Sequence, residues 1–313
     1  MSCRAFWIGL LLLGLGAWRA SAEEGLVSRI RGAPLPDAQR QAVLQMFSRH
    51  DYAALENALA VPPGMNPQQS ATLLALLGAI EFLGNRLELA VNAFERSDAI
   101  RPLDDRDRFT LAMALATLGR SKDATTHLTR LNQLHPTQPL YLYWLARIEY
   151  YERRYEAAVE KMRRVILLDP KSERAWDNLG LSLDMLGDQT GAQQAFEKAV
   201  ELNRKLPAPS AWPPHNFGCL LFRMQLFPEA EKSLRESLGY NPRFAQAHYY
   251  LGRVLEKLGH DEDAIAQLKS AAELDPNLAE PLYTLGLLYR RLGRLDESKR
   301  ALEEYKKRHP EGQ

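Results

Sequence analysis

A 34-residue period runs through most of this 313-residue chain and constrains its fold more than any other feature. The pairs Leu77-Gly78, Leu111-Ala112, Leu145-Ala146, Leu179-Gly180, Phe217-Gly218, Leu251-Gly252 and Leu285-Gly286 recur, their small members 34, 34, 34, 38, 34 and 34 residues apart. Twelve residues after each stands another small residue: Ala90, Ala124, Ala158, Ala192, Ala230, Ala264 and Ser298. Four further on comes a large apolar side chain: Phe94, Leu128, Met162, Phe196, Leu234, Leu268 and Leu302. Proline closes six of the seven units, at Pro102, Pro136, Pro170, Pro242, Pro276 and Pro310, while the fourth has Arg204 there. Gly, Ala and Ser make up about a quarter of average usage, so chance would place these small residues roughly once in 10⁵ trials, even with a free choice of register.

Each unit holds two stretches of helical apolar periodicity, with glycine at the turn between them in four cases: Gly119, Gly187, Gly259 and Gly293. The pattern predicts an antiparallel helical hairpin repeated seven times. A small residue in each helix lets the two backbones approach, with the large residue filling the space beside that contact. Proline ends the second helix and re-aims the chain. No hairpin buries its faces alone, so neighbours must stack into a continuous, quasi-one-dimensional core.

These residues resemble the tetratricopeptide repeat. The fourth unit carries Trp176, Leu179, Gly180, Leu183, Gly187, Ala192, Phe196 and Ala199, and the sixth Leu251, Gly252, Gly259, Ala264, Leu268, Ala271 and Pro276. The resemblance covers residues 71–312, as repeats 71–104, 105–138, 139–172, 173–206, 211–244, 245–278 and 279–312, with a proline-rich insertion at 207–210. Ser97, Leu131, Val165, Ser237 and Tyr305 depart from the pattern late in their units. The resemblance implies an all-α, right-handed superhelical solenoid of stacked antiparallel hairpins, with the first helix of each hairpin lining a concave, protein-binding face.

The start of the chain reads as a leader. Arg4 precedes an uncharged apolar run, Ala5–Trp18, followed by an A-x-A cleavage signature at Ala20, Ser21 and Ala22. Fourteen helical residues reach only about 21 Å, short of a hydrocarbon core of roughly 30 Å. The expectation is a signal peptide over 1–22, a mature chain from Glu23, and a periplasmic or secreted location. An uncleaved anchor is the alternative. Residues 23–35 read as a linker and 36–66 as a degenerate leading hairpin. Of two cysteines only Cys219 lies beyond the leader, so no internal disulfide is expected in the mature chain.

Lys and Arg number 40 against 39 Asp and Glu, a net +1, without the basic excess of a nucleic-acid binder. The seven histidines form no H-E-x-x-H pair, and there is no phosphate loop, G-x-S-x-G elbow or C-x-x-C. His215 and Cys219 share a helical face, but two ligands fall short of a structural zinc site. No catalytic residue, cofactor or metal is therefore expected. The insertion, with Pro207, Pro209, Pro213, Pro214 and Trp212, reads either as a longer second helix through Lys205 and a stiff loop, or as a loop presenting Trp212 to a ligand.

By the family's register, the ligand face holds Tyr143, Arg147 and Tyr150 in the third unit. The fifth adds His215, Cys219, Phe222 and Arg223, the sixth Tyr249 and Arg253, and the seventh Tyr283 and Arg290. Aromatic rings beside arginine suit a partner's acidic or aromatic segment, extended or helical. Some relatives clamp a C-terminal carboxylate with lysine and asparagine. Asn178 and Asn216 fit that pattern, but Tyr143 and Asp177 stand at the lysine offsets. The expected function is a non-catalytic adaptor in an extracytoplasmic space, serving envelope assembly or secretion. The alternative is an accessory subunit whose partner supplies the chemistry.

Overall fold

The computed structural model describes residues 15–308, with side chains from Glu23 onward. Arg4 and the apolar run up to Gly14 lie outside the described residues. Seventeen helices and no strand are present among the described residues. Three precede the repeats: α1 (Leu15–Arg31), α2 (Asp37–Ser48) and α3 (Tyr52–Ala58). The first helices of the seven hairpins are α4 (Pro67–Leu83), α6 (Asp105–Thr117), α8 (Pro139–Tyr151), α10 (Glu173–Met185), α12 (Trp212–Arg223), α14 (Ala245–Lys257) and α16 (Glu280–Arg291). The second helices are α5 (Leu87–Ile100), α7 (Ser121–Leu134), α9 (Tyr155–Leu168), α11 (Gln189–Asn203), α13 (Phe227–Tyr240), α15 (Asp261–Leu274) and α17 (Leu295–Arg308). None of the described helices is long and apolar enough to cross a membrane.

The chain divides into two compact units, residues 1–148 and 149–313. In the first, α4 packs on α5 and α6 on α7, while α2 and α3 pair ahead of them. In the second, the hairpins α10–α11, α12–α13, α14–α15 and α16–α17 stack in order, and each first helix also touches the next first helix. The result is an all-α solenoid of helical hairpins.

One contact recurs inside the hairpins. The Phe94 ring lies on Gly78, Phe196 on Gly180, Leu234 on Gly218, Leu268 on Gly252 and Leu302 on Gly286. A Cβ at Gly180 would stand 2.7 Å from the Phe196 ring, inside contact distance. The large residue therefore sits directly on the small one rather than beside it. The second small residue closes the approach from the other helix: the Ala264 carbonyl would meet a Cβ at Gly252 at 3.1 Å, and Ser298 Oγ donates to Gly286 O at 2.7 Å. Phe94, Phe196 and Leu128 are among the most deeply buried side chains.

The hairpin turns need a left-handed residue. Gly119, Gly187, Gly259 and Gly293 supply it with φ between 73° and 81°. In the other three hairpins Asn85, Arg153 and Gln225 adopt φ of 59°, 59° and 61°. Such a residue pays roughly 1–2 kcal/mol for its Cβ.

Several boundaries differ from the sequence reading. The first hairpin opens at Pro67 rather than residue 71, because Asn66 accepts from Gln68 N–H and Pro67 suits the first helical position. Residues 23–31 are helix rather than linker, anchored by Leu26 and Ile30, which are buried. Helix α11 ends at Asn203 instead of reaching Lys205. The buried Asn203 amide donates to Ser210 O and accepts from Ser210 N–H, both at 2.8 Å, pinning the insertion back onto the helix end. Trp212 belongs to the first turn of α12, not to the loop.

Glu81, near the end of α4, is a buried acid whose side chain is 1% exposed. Arg86 Nε stands 2.9 Å from its Oε2, and Arg86 also pairs with Glu56 of α3. Burial pushes the Glu81 carboxyl up to about 7, against the pull of Arg86 and with the help of Glu56.

Two predictions follow from this packing. G180A forces the Phe196 ring off its seat and is expected to destabilise the chain by about 1–3 kcal/mol in chemical denaturation. Q225G removes a left-handed side chain and is expected to stabilise it by about 0.5–1 kcal/mol, less than the full relief because glycine also loosens the unfolded chain. For Glu81, the folded chain holds the proton more tightly than the unfolded chain does. Its stabilising contribution is complete at acid pH and is lost as pH rises through about 7. E81Q is expected to raise the unfolding midpoint at pH 8 and leave it nearly unchanged at pH 5, as read by circular dichroism.

Candidate functional site

Stacking leaves one side of each first helix without a second-helix partner. The residues there decide what the face can hold. In the second unit, α10, α12, α14 and α16 present this side in succession.

On α10 and α12 the charged groups satisfy one another. Asn216 Nδ2 donates to both Asp177 oxygens, at 3.1 and 3.0 Å. Arg223 is exposed at its tip and ion-paired with Asp184. The asparagine that would serve a carboxylate clamp is thus engaged by Asp177, at the offset where the clamp needs lysine. Asn178 Nδ2 bonds the Arg174 carbonyl of its own helix.

An aromatic wall runs from α12 to α14. Trp212 is half-buried against Phe244, with ring centroids 4.6 Å apart. His215 lies beneath, ringed by Trp212, Phe244 and Tyr250 at 5.8, 4.8 and 5.6 Å. Burial pushes the His215 imidazole down to about 4, so it is neutral at physiological pH. Cys219 Sγ stands 3.6 Å from its Nε2, and burial pushes the thiol well above its usual range. A neutral imidazole beside an un-ionised thiol is a packing pair, not an activated nucleophile. Among the described residues, no group of three His, Cys, Asp or Glu side chains gathers to hold a metal ion.

Arg253 of α14 is the exception to the paired charges. Its guanidinium lies 4.5 Å from the Phe222 ring centroid, 5.6 Å from Tyr249 and 5.8 Å from Tyr250. It is half-buried, and among the described residues it has no hydrogen bond and no acidic partner. Three rings fix its position while its N–H fork stays available. On α16, Tyr283 is 48% exposed and its ring meets Tyr305 of α17 at 5.5 Å. Leu287 is exposed beside it in register, and Arg290 is exposed without a counter-ion among the described residues. The neighbouring Arg291 is spent on Asp261 and Glu256, at 2.6 and 3.6 Å.

The other candidates lie apart from this patch. Tyr150 opens the second unit, half-buried edge-on to Tyr151 and Tyr155 at 5.5 and 5.6 Å. Burial, more than its neighbours, pushes its phenol up to about 12. Tyr143 and Arg147 belong to the first unit. Arg147 is buried, its guanidinium 5.0 Å from the Trp144 ring, which makes it a packing group rather than an exposed hook. Sequence register alone missed Tyr250, Leu287, Asp184 and the role of Asp177. The first two follow from which ring or methyl group lies against a neighbour. The last two follow from which charge reaches which across helices.

The face can thus grip an anion beside apolar surface: aromatic area from Phe222, Tyr249 and Tyr283, and the guanidiniums of Arg253 and Arg290, which no acid among the described residues neutralises.

Comparisons with known proteins agree with this architecture. A family model described as Tetratricopeptide repeat matches residues 109–165, 143–207 and 215–279, and a second of the same description matches 282–312. The BBSome complex member bbs-4 of Caenorhabditis elegans is 22% identical over 239 residues, 73% of this chain and 50% of its own length. The chain spans half or less of the length of the curated relatives it matches. Among solved structures, PilW, described as a widely conserved type IV pilus biogenesis factor, is similar with a TM-score of 0.60 at 22% identity, covering 67% of this chain and 95% of PilW. PilF of Pseudomonas aeruginosa is similar with a TM-score of 0.55 at 18% identity, covering 73% of this chain and 98% of that one. These structural likenesses establish the fold.

Proposed function

The chain belongs to the tetratricopeptide-repeat family, and from that premise we propose that it is a non-catalytic adaptor whose second unit binds a carboxylate-bearing segment of a partner protein. The observation that carries this reading is Arg253. A guanidinium stacked on Phe222 and flanked by Tyr249 and Tyr250, with no acidic partner among the described residues, is an anchor lacking its counter-ion. Acidic side chains or a C-terminal carboxylate would pair with it bidentately, while the rings contribute rigid apolar area. Arg290 supports the same sign of partner. The groups that this chain pairs internally, Arg223 with Asp184 and Asn216 with Asp177, shape the face without adding free charge.

The adaptor is proposed to work outside the cytoplasm, in envelope assembly or secretion. Arg4, the uncharged run Ala5–Trp18 and the small residues Ala20 and Ala22 support that placement. Edman sequencing of the protein recovered from its own compartment is expected to begin at Glu23. A chain that retains residues 1–22 would replace the cleaved leader with an anchor.

The binding reading is tested by recovering the full chain natively and identifying a stoichiometric partner. R253A is expected to weaken that partner by about 30-fold or more, the loss typical of a central anchor. R253K keeps the charge but not the planar fork and is expected to recover part of the affinity. R147A, in the first unit, is expected to leave the affinity unchanged. A partner indifferent to R253A would remove the second-unit face as its site.

A further inference from the structure

The first unit treats its first-helix side differently. The register positions that carry Tyr249 and Arg253 in α14, and Tyr283 and Leu287 in α16, are Ala75 and Ala79 in α4. The position of Arg253 is Met113 in α6, and that of Phe222 is Ala116. All four are buried. The remaining two positions hold Phe82 in α4 and Phe109 in α6, both half-buried, so this side is apolar throughout, where the second unit has rings and guanidiniums. Helix α1 lies on this side. It packs on α2 and α4 and reaches α6 through Arg29, so it crosses the first helices of three consecutive hairpins, as a bound helix would.

Its contacts have the chemistry of a ligand. Leu26 and Ile30, four residues apart on one helical stripe, are buried. Between them in sequence, Arg29 donates through Nη1 and Nη2 to the two oxygens of Asp107, each at 2.7 Å. The Asp107 side chain is only 4% exposed. Gly25 gives the approach its closeness, because the Arg106 guanidinium occupies the space that a Cβ would need. Lighter contacts are made by Glu23 to His50 at 3.8 Å and, at the helix end, by Arg40 Nη1 to Arg31 O at 3.1 Å. By comparison α4 has buried residues on nearly every face. Among the described side chains, from Glu23 onward, α1 is held by Leu26 and Ile30, the Arg29–Asp107 pair and the lighter contacts, and an element so lightly anchored opens before the helices beneath it.

We propose that the first-helix side of the first unit is a second docking site, selective for a basic amphipathic helix, and that α1 is its built-in and displaceable occupant. The competing partner is a protein helix with an arginine three residues, and an aliphatic side chain four residues, after a first aliphatic one. Asp107 selects for the arginine, so this site prefers the opposite charge to the Arg253 face. The two sites are independent, and failure of one leaves the other standing.

The test uses the full chain and, as probe, a labelled synthetic peptide spanning residues 22–33. In the wild-type chain, amides of residues 25–31 are expected to exchange with solvent well before those of α4 and α6. R29E is expected to speed their exchange at least about tenfold while leaving α4 and α6 unchanged, and to admit the peptide at least about tenfold more tightly than wild type, because the tethered competitor is gone. Adding D107N to R29E is expected to abolish that gain. Residues 25–31 exchanging only together with α4 and α6 in the wild-type chain would overturn the proposal and make α1 a permanent cap. So would an R29E chain with α4 and α6 intact that takes up no peptide, or a peptide indifferent to D107N. If R29E loosened α4 and α6 themselves, the wild-type exchange order would decide.

Discussion

A large side chain seated on a residue without one holds this protein together. Phe196 on Gly180 and Leu268 on Gly252 bring the two backbones of a hairpin as close as van der Waals radii permit. That closeness fixes how the hairpin's two helices cross, and so which side of the first helix is left over. The face proposed to meet a partner lies on that leftover side. The repeat can vary most of its surface without losing the fold, because the contact that defines it uses few positions per hairpin.

The same geometry yields two chemically distinct faces. Where the register positions hold rings and guanidiniums, as on α12, α14 and α16, Arg253 and Arg290 carry positive charge that no acid among the described residues compensates. Where they hold alanine, methionine and phenylalanine, as on α4 and α6, the chain's own α1 packs on α4 and Asp107 is spent on Arg29. The difference is one of side-chain volume and sign, not of backbone. Internal ion pairs matter as much as free ones. Arg223 and Arg291 are the same residue type as Arg253, yet Asp184 and Asp261 have already claimed them.

Buried titratable groups mark places where packing overrode solvation. His215 and Cys219 are both held in their neutral forms by the rings around them. That arrangement gives the centre of α12 a packing role in spite of residue types associated with metals and nucleophiles. Glu81 sits under α3 with Arg86 as its counter-charge, which ties the leading hairpin's packing to proton concentration.

The sequence alone determined the period, the helical hairpin and the family, because small residues at fixed offsets leave no other packing. It also located the first-helix positions from which Phe222, Tyr249 and Arg253 project. Three things were decided only by tertiary structure. Trp212 joined a helix and Phe244 rather than a loop, since Asn203 pins the insertion. Residues 23–31 became a docked helix, since Leu26 and Ile30 are buried and Arg29 pairs with Asp107, 78 residues away. And among the described residues Arg253 and Arg290, of the several arginines offered by the register, kept their guanidiniums free of an acidic partner. Periodicity reports which way a side chain leaves its own helix. It does not report which opposite charge, about 30 or 80 residues distant, stands within about 3 Å of its tip, and that pairing separates an arginine spent on the fold from one left available to a ligand.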